Sequence, residues 1–260
     1  MSVRRRGARC LGIAASTLAL ALSGGATGQA AEVKVLSAGA VRSIVTELAK
    51  AYETETGNTV TLTFGTVGVV RQKLASDPAD VVIMSDTALD DAIARGSVAA
   101  DSRTDIARTG MGIAVRAGAP KPDITTPEAL KQTLLSAKSI VYVDPAQGAT
   151  SGIHFVSVLQ RLGIADAVKS KTTLAPGGYP AELVAEGKVE LVAHQISEIL
   201  PVKGVTFVGP LPRELQKVTT YSAGRAAKAA DAELARGFIA FLARPAFRAK
   251  FAEAGLDYRQ

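Results

Sequence analysis

The sequence predicts an α/β fold with mostly parallel sheets, and three observations carry that prediction. Short strand-like runs alternate with helical runs along the chain, the pattern of parallel strands joined by crossover helices. The strand runs are short and largely apolar, as expected of a sheet covered on both faces. At least two of them end in small residues and pass at once into a helix.

The elements follow in order. Residues 33–36 form the first strand, which leads through Ser37, Ala38, Gly39 and Ala40 into a helix over 41–54. Residues 60–64 form the second, which leads through Gly65, Thr66, Val67 and Gly68 into a helix over 69–75. Strands at 81–83, 112–115 and 140–143 are followed by helices at 88–94, 127–135 and 153–162, and further strands lie at 191–193 and 205–208. Ser151 and Gly152 precede the helix at 153, where serine caps free N–H groups. The run Gly177, Gly178, Tyr179, Pro180 opens a short helix over 181–186. Leu234, Phe238, Phe241 and Leu242 recur at helical spacing within 229–242, and 245–254 completes a terminal helix pair. Proline- and glycine-rich runs at 117–122 and 209–212 read as connections.

The first 30 residues read as an export signal. Arg4, Arg5, Arg6 and Arg9 precede an apolar run over 11–22, and Gly28, Gln29 and Ala30 supply small residues where a signal peptidase cuts. Twelve apolar residues are too few to span a bilayer. Cleavage after Ala30 is expected, with a periplasmic mature protein. The single cysteine, Cys10, lies before the cut, so the mature chain has none. Its expected size supports a core without disulfides.

The full chain has 30 Lys+Arg against 24 Asp+Glu, and loss of the signal leaves 26 against 24. A net charge of +2 is no nucleic-acid footprint. With no tryptophan and few other aromatics, the chain offers little for bases or sugars to stack on, so such substrates are disfavoured. No phosphate loop, nucleophile elbow or Ser/His/Asp pattern is present. With two histidines and no mature cysteine, no metal site or cofactor is expected.

Small-residue loops that feed helix N-termini point to anion capture. A helix start offers free N–H groups and about half a positive charge, and small side chains let a ligand approach the backbone. Arg42 and Arg71 fall early in the helices that follow these loops. They read either as solvated surface arginines or as forks for a carboxylate. Tyr179 closes over a ligand or packs between lobes.

The order Val33 to Ala40, then Thr63-Phe64-Gly65-Thr66, then Pro78-Ala79-Asp80-Val81, then Asp144-Pro145 with Ser151-Gly152 resembles the periplasmic molybdate-binding family of type II ABC solute receptors. The resemblance covers essentially the whole mature chain. It implies two α/β lobes joined by a two-strand hinge, closing on an oxyanion held by backbone N–H groups and hydroxyls. With this implication the chain divides into a signal peptide at 1–30, lobe one at 31–108, lobe two at 109–225, and C-terminal helices at 226–260 returning to lobe one. It also implies a monomer, no nucleic-acid partner and a membrane permease as partner. The ligand-binding positions expected are Ser37, Ala38, Gly39, Ala40, Arg42, Thr66, Val67, Arg71, Ser151, Gly152, Tyr179 and Gln195.

Hydroxyls expected from that family are missing. Ala40 stands where a serine is usual, Val67 and Gly68 occupy a serine-rich loop, and a late tyrosine falls near Gln195. Each hydroxyl lost from a desolvated dianion costs about 1.5–3 kcal/mol. A di- or tricarboxylate therefore stands beside a molybdate-like oxyanion as the small anionic ligand. Stretches such as Asp101-Ser102-Arg103, residues 114–124 and Ser197-Glu198 are similar to aconitate isomerase-like members of the same receptor fold. A receptor serving an ABC importer is thus the first expectation. The alternative is an isomerase that shifts an allylic proton between cis- and trans-aconitate. For that alternative a base is needed, and His194, Glu198 and Asp144 are the candidates. Each also has an ordinary reading: a packed histidine, a solvated helix face and a turn-shaping aspartate.

Overall fold

The computed structural model describes residues 1–2 and 30–258. The signal peptide expected over 1–30, with Cys10, lies almost wholly outside the described residues.

The first strand, β1 (Glu32–Ala38), runs through a 3-10 turn into α1 (Arg42–Thr56), which therefore starts one residue later than expected. The chain continues through β2 (Thr59–Gly65), α2 (Val67–Ser76), β3 (Val81–Ser85), α3 (Asp86–Ala94), β4 (Thr104–Thr109), β5 (Met111–Arg116), α4 (Pro127–Ser136) and β6 (Ile140–Val143). Then come α5 (Thr150–Arg161), α6 (Ala165–Lys169), β7 (Thr172–Ala175), α7 (Ala181–Ala185), β8 (Leu191–Gln195), α8 (Ile196–Ile199), β9 (Val205–Pro210) and β10 (Thr219–Arg225). Last are α9 (Ala232–Leu242), α10 (Arg248–Glu253) and β11 (Asp257–Tyr258).

These strands form two sheets, in the orders β11-β4-β10-β3-β1-β2 and β7-β6-β8-β5-β9. Within the first, β1 pairs in parallel with β2 and β3, and β10 runs antiparallel to β3 and β4. Within the second, β6 pairs in parallel with β7 and β8, whereas β5 is antiparallel to β8 and β9. The chain crosses between sheets at Gly110 and again over 211–218, the two connections of a hinged pair of lobes. Thr219–Arg225, grouped with the second lobe in the sequence reading, hydrogen-bonds within the first sheet.

Burial explains the strand pattern. Ile113, Ile140, Tyr142, Leu191 and Ala193 pack into a core on one face of the second sheet, while Ala114, Val141 and Val192 pack into another. Both faces are covered, so the strands read as unbroken apolar runs. The terminal helix α9 buries Phe238, Phe241 and Leu242 in the first core, where Tyr52 meets Phe238 edge-on at 5.1 Å. No described helix is long and apolar enough to cross a membrane.

Candidate functional site

Register fixes where the site lies. Ser37 opposes Phe64 and Ala38 opposes Gly65, so β1 and β2 end level and their loops emerge at one edge. Crevices at the carboxyl ends of parallel strands are where α/β sheets bind ligands. The matching ends of β6 and β8 in the second sheet face the same space. Between them lies a cavity of about 270 Å³.

One wall comes from the first sheet: Ala38, Gly39, Ala40, Arg42, Phe64, Gly65, Thr66, Val67 and Val69. The other comes from the second: Val143, Ala149, Thr150, Ser151, Pro176, Gly177, Gly178, His194 and Glu198. Tyr221, from β10, completes the lining.

The first wall is mostly backbone and small side chains. Thr66 caps α2, its hydroxyl accepting from the Val69 N–H at 3.2 Å. Arg42 places its guanidinium 4.3 Å from the Phe64 ring centre and 5.8 Å from that of Tyr179. Such stacking holds a guanidinium flat and leaves its N–H edge free.

The second wall carries the titratable groups. His194, in β8, and Glu198, in α8, are 2% and 7% exposed, with Nε2 of His194 3.4 Å from Oε2 of Glu198. Nδ1 of His194 lies 3.1 Å from Ser151 Oγ, and Nε2 lies 3.3 Å from the Gly178 carbonyl oxygen. A carbonyl only accepts, so Nε2 carries the proton and Nδ1 accepts from the Ser151 hydroxyl. Burial pushes His194 down to about 4, against a raising effect of the Gly178 hydrogen bond. Burial pushes Glu198 up to about 8, and nearby Arg42 opposes the rise. Near neutral pH the imidazole is therefore uncharged, the carboxyl is mostly protonated, and Arg42 is the permanently charged side chain in the lining. Glu198 also reaches the first wall: a Cβ added at Gly39 would meet its Oε1 at 2.7 Å.

The walls clasp at the mouth. The Thr66 hydroxyl donates to the Gln147 carbonyl at 2.5 Å, and the Gly68 N–H donates to the Gly148 carbonyl at 3.2 Å. The backbones touch closely enough that a Cβ at Gly68 would lie 2.5 Å from the Gln147 oxygen.

Of the positions expected from the sequence, Ala38, Gly39, Ala40, Arg42, Thr66, Val67, Ser151, His194 and Glu198 line the cavity. Others are corrected. Arg71 does not face the cleft, because its guanidinium pairs with Asp91 at 3.2 Å on the surface. Ser37 is fully buried behind the lining, and its hydroxyl contacts the Ala38 carbonyl at 3.2 Å. Gly152 serves packing: a Cβ there would come within 2.0 Å of the Val143 oxygen, so only glycine lets α5 lie against β6. Asp144 caps a turn by accepting from the Ala146 N–H at 2.9 Å. Gln195 sits behind the wall, where its amide Nε2 donates to Thr150 Oγ1 at 3.1 Å and Tyr221 Oη at 3.3 Å. Tyr179 is partly buried against Arg42 rather than in the lining. Sequence reasoning missed Phe64, Thr150 and Tyr221 as lining residues. Thr150 adjoins the Ser151-Gly152 signal, but Tyr221 arrives from a distant strand with no local mark.

Among the described residues, no group of three or more His, Cys, Asp or Glu side chains gathers to hold a metal ion. Residues 33–257 match a family described as bacterial extracellular solute-binding protein. The chain is 37% identical over 216 residues to an aconitate isomerase from a Pseudomonas species, covering 80% of this chain and 81% of that protein. Among solved structures, the Azotobacter vinelandii periplasmic molybdate-binding protein aligns with TM-score 0.74 and 20% identity over 88% of this chain and 100% of its own. The tungstate-binding protein TupA of Desulfovibrio alaskensis aligns with TM-score 0.62 and 14% identity over 88% of this chain and 99% of its own. At these identities the structures establish the two-lobed fold of type II binding proteins.

Proposed function

The chain belongs to the bacterial extracellular solute-binding protein family, and from that premise we propose that it isomerises a small unsaturated polycarboxylate, interconverting cis- and trans-aconitate. The observation that carries this reading is Glu198, a buried carboxyl set in the cavity against a neutral histidine. An ionised carboxyl repels a captured anion, so a carboxyl serves capture only as a protonated donor. Proton transfer gains from such a group, because a base that titrates near the working pH is efficient. The 37% identity to an aconitate isomerase supports the same reading.

The chemistry is an allylic shift with one base. Ionised Glu198 takes a proton from the ligand's methylene carbon. The C–H electron pair becomes part of the new double bond as the old double bond opens. The same carboxyl then returns the proton to the former vinyl carbon, and atoms and charge balance. His194 packs beside it, with Nε2 3.4 Å from Glu198 Oε2, and helps hold the carboxyl in place. Arg42 and the free N–H groups at the start of α5 hold ligand carboxylates and spread the developing charge. The protein works in the periplasm after removal of its leader.

A second reading is capture without chemistry, serving a membrane permease. It is favoured by the small-residue wall at Ala38–Ala40 and by the clasp that would retain a ligand. Proton NMR of cis-aconitate with the mature chain separates the two. Appearance of the trans isomer's vinyl signal supports the isomerase. Saturable binding by calorimetry with no new signal overturns it in favour of the receptor.

A further inference from the structure

Three groups at the cavity floor remain outside the chemistry above: Thr150, Gln195 and Tyr221. Their hydrogen bonds can be counted. The Gln195 amide nitrogen donates both its protons, one to the Thr150 oxygen at 3.1 Å and one to the Tyr221 oxygen at 3.3 Å. The two hydroxyl oxygens lie 3.0 Å apart and share one further hydrogen bond. Two hydroxyls own two protons, and that bond uses one. The remaining proton has no acceptor among the described residues, and Thr150 and Tyr221 are both lining residues of the cavity. The amide orientation is fixed by the same count. As placed, Gln195 leaves only its carbonyl oxygen unpartnered. Turned over, it would bury two unpartnered N–H groups in place of one oxygen, which costs more.

We propose that Thr150 and Tyr221, oriented by Gln195, form a subsite that presents one hydroxyl proton to an anionic oxygen of the ligand. The subsite deepens the proposed function by adding a third carboxylate contact to those of Arg42 and the α5 start, and in that respect it rests on that reading. It favours ligands that carry an acceptor at the cavity floor. Thr150 and Tyr221 are interchangeable as donors, because whichever hydroxyl donates to the other, one proton is left.

Interchangeability makes the test sharp. Trans-aconitate is titrated by calorimetry into the wild-type mature chain, Tyr221→Phe, Thr150→Val and the double variant, with molybdate titrated in parallel. Each single variant keeps one hydroxyl proton, so affinity falls by less than about fivefold. The double variant keeps none, and affinity falls about 10- to 100-fold, as for loss of a hydrogen bond to a charged group. Thermal melts without ligand show whether each variant folds, and a merely structural role would show the same excess loss there as in affinity. The proposal is overturned if the double variant binds like wild type, or if the two single effects simply add. If wild type binds molybdate and not trans-aconitate, the isomerase reading fails, and the subsite stands or falls on the same four-protein comparison with molybdate.

Discussion

The two walls of the cleft do different work with different materials. The first-sheet wall is backbone, small side chains and one stacked arginine, Arg42. The second-sheet wall buries Ser151, His194 and Glu198 side by side, Ser151 hydrogen-bonded to His194 and Glu198 3.4 Å beyond it. A wall of the first kind holds negative charge and has nothing to titrate near neutral pH. One of the second kind changes charge by burial alone, so the fold places a fixed cation opposite a carboxyl whose proton is movable. The contrast is between a wall that carries one fixed cation and a facing wall whose buried carboxyl can change charge.

Breaking the second wall has the largest expected effect. Glu198→Gln keeps size and polarity but cannot take a proton, so turnover of cis-aconitate should fall about 10²- to 10⁴-fold, with affinity by calorimetry nearly unchanged. Equal losses in affinity and turnover would mean that Glu198 only shapes the cavity. Breaking the first wall comes next. Arg42→Ala should weaken trans-aconitate binding about 10- to 100-fold, since charged hydrogen bonds contribute about 1.5–3 kcal/mol.

The third prediction sharpens the electrostatic side. Glu198 rises from 4.5 to about 8 on folding, so its stabilising protonation is fully present below pH 4.5 and is lost as pH climbs through 8. His194 falls from 6.5 to about 4, so the stability it confers as a neutral group is lost as pH drops from 6.5 toward 4. The two slopes cancel between pH 4.5 and 6.5, which leaves a decline of about 2 kcal/mol from 6.5 to 8 at 1.36 kcal/mol per unit. Urea denaturation across that range should show the decline in wild type and a flat profile in Glu198→Gln.

Legibility differed between the walls for physical reasons. The first was readable because small residues before a helix mark a loop where backbone meets ligand, and β1 and β2 carry that mark. The fold was equally readable, since the cores bury short, largely apolar strands. Arg42 and Arg71 show where reading stops. Both follow a small-residue loop, yet Arg42 stacks on Phe64 inside the cleft while Arg71 pairs with Asp91 outside it. Nothing local separates them, because the outcome depends on Asp91 from α3 and Phe64 from β2. Glu198 and His194 were named as candidates, but the burial that sets their protonation comes from both sheets. Tyr221 left no trace because β10 returns to the first sheet from far along the chain. Short or edge elements such as β7 and α8 escaped for want of length.

Two smaller effects test how the walls meet. Gly68→Ala puts a methyl against the Gln147 backbone oxygen at the clasp, and an overpacking cost of about 1–3 kcal/mol should weaken binding about tenfold without lowering the melting temperature of the open form. Arg71→Ala should change affinity by less than about twofold, because it removes only an exposed ion pair. A large loss from Arg71→Ala would mean that the cleft extends farther along α2 than the lining residues indicate.

The central claim is that Glu198 acts as the base while burial holds its proton. The pH dependence of kcat/KM for cis-aconitate reports the free protein's essential base, and it is the most direct test. With Glu198 as the base, the rate rises with pH to a midpoint near 8, where Glu198 ionises. A profile flat from pH 6 to 9, a midpoint in the ordinary carboxylate range, or no conversion at any pH would contradict it.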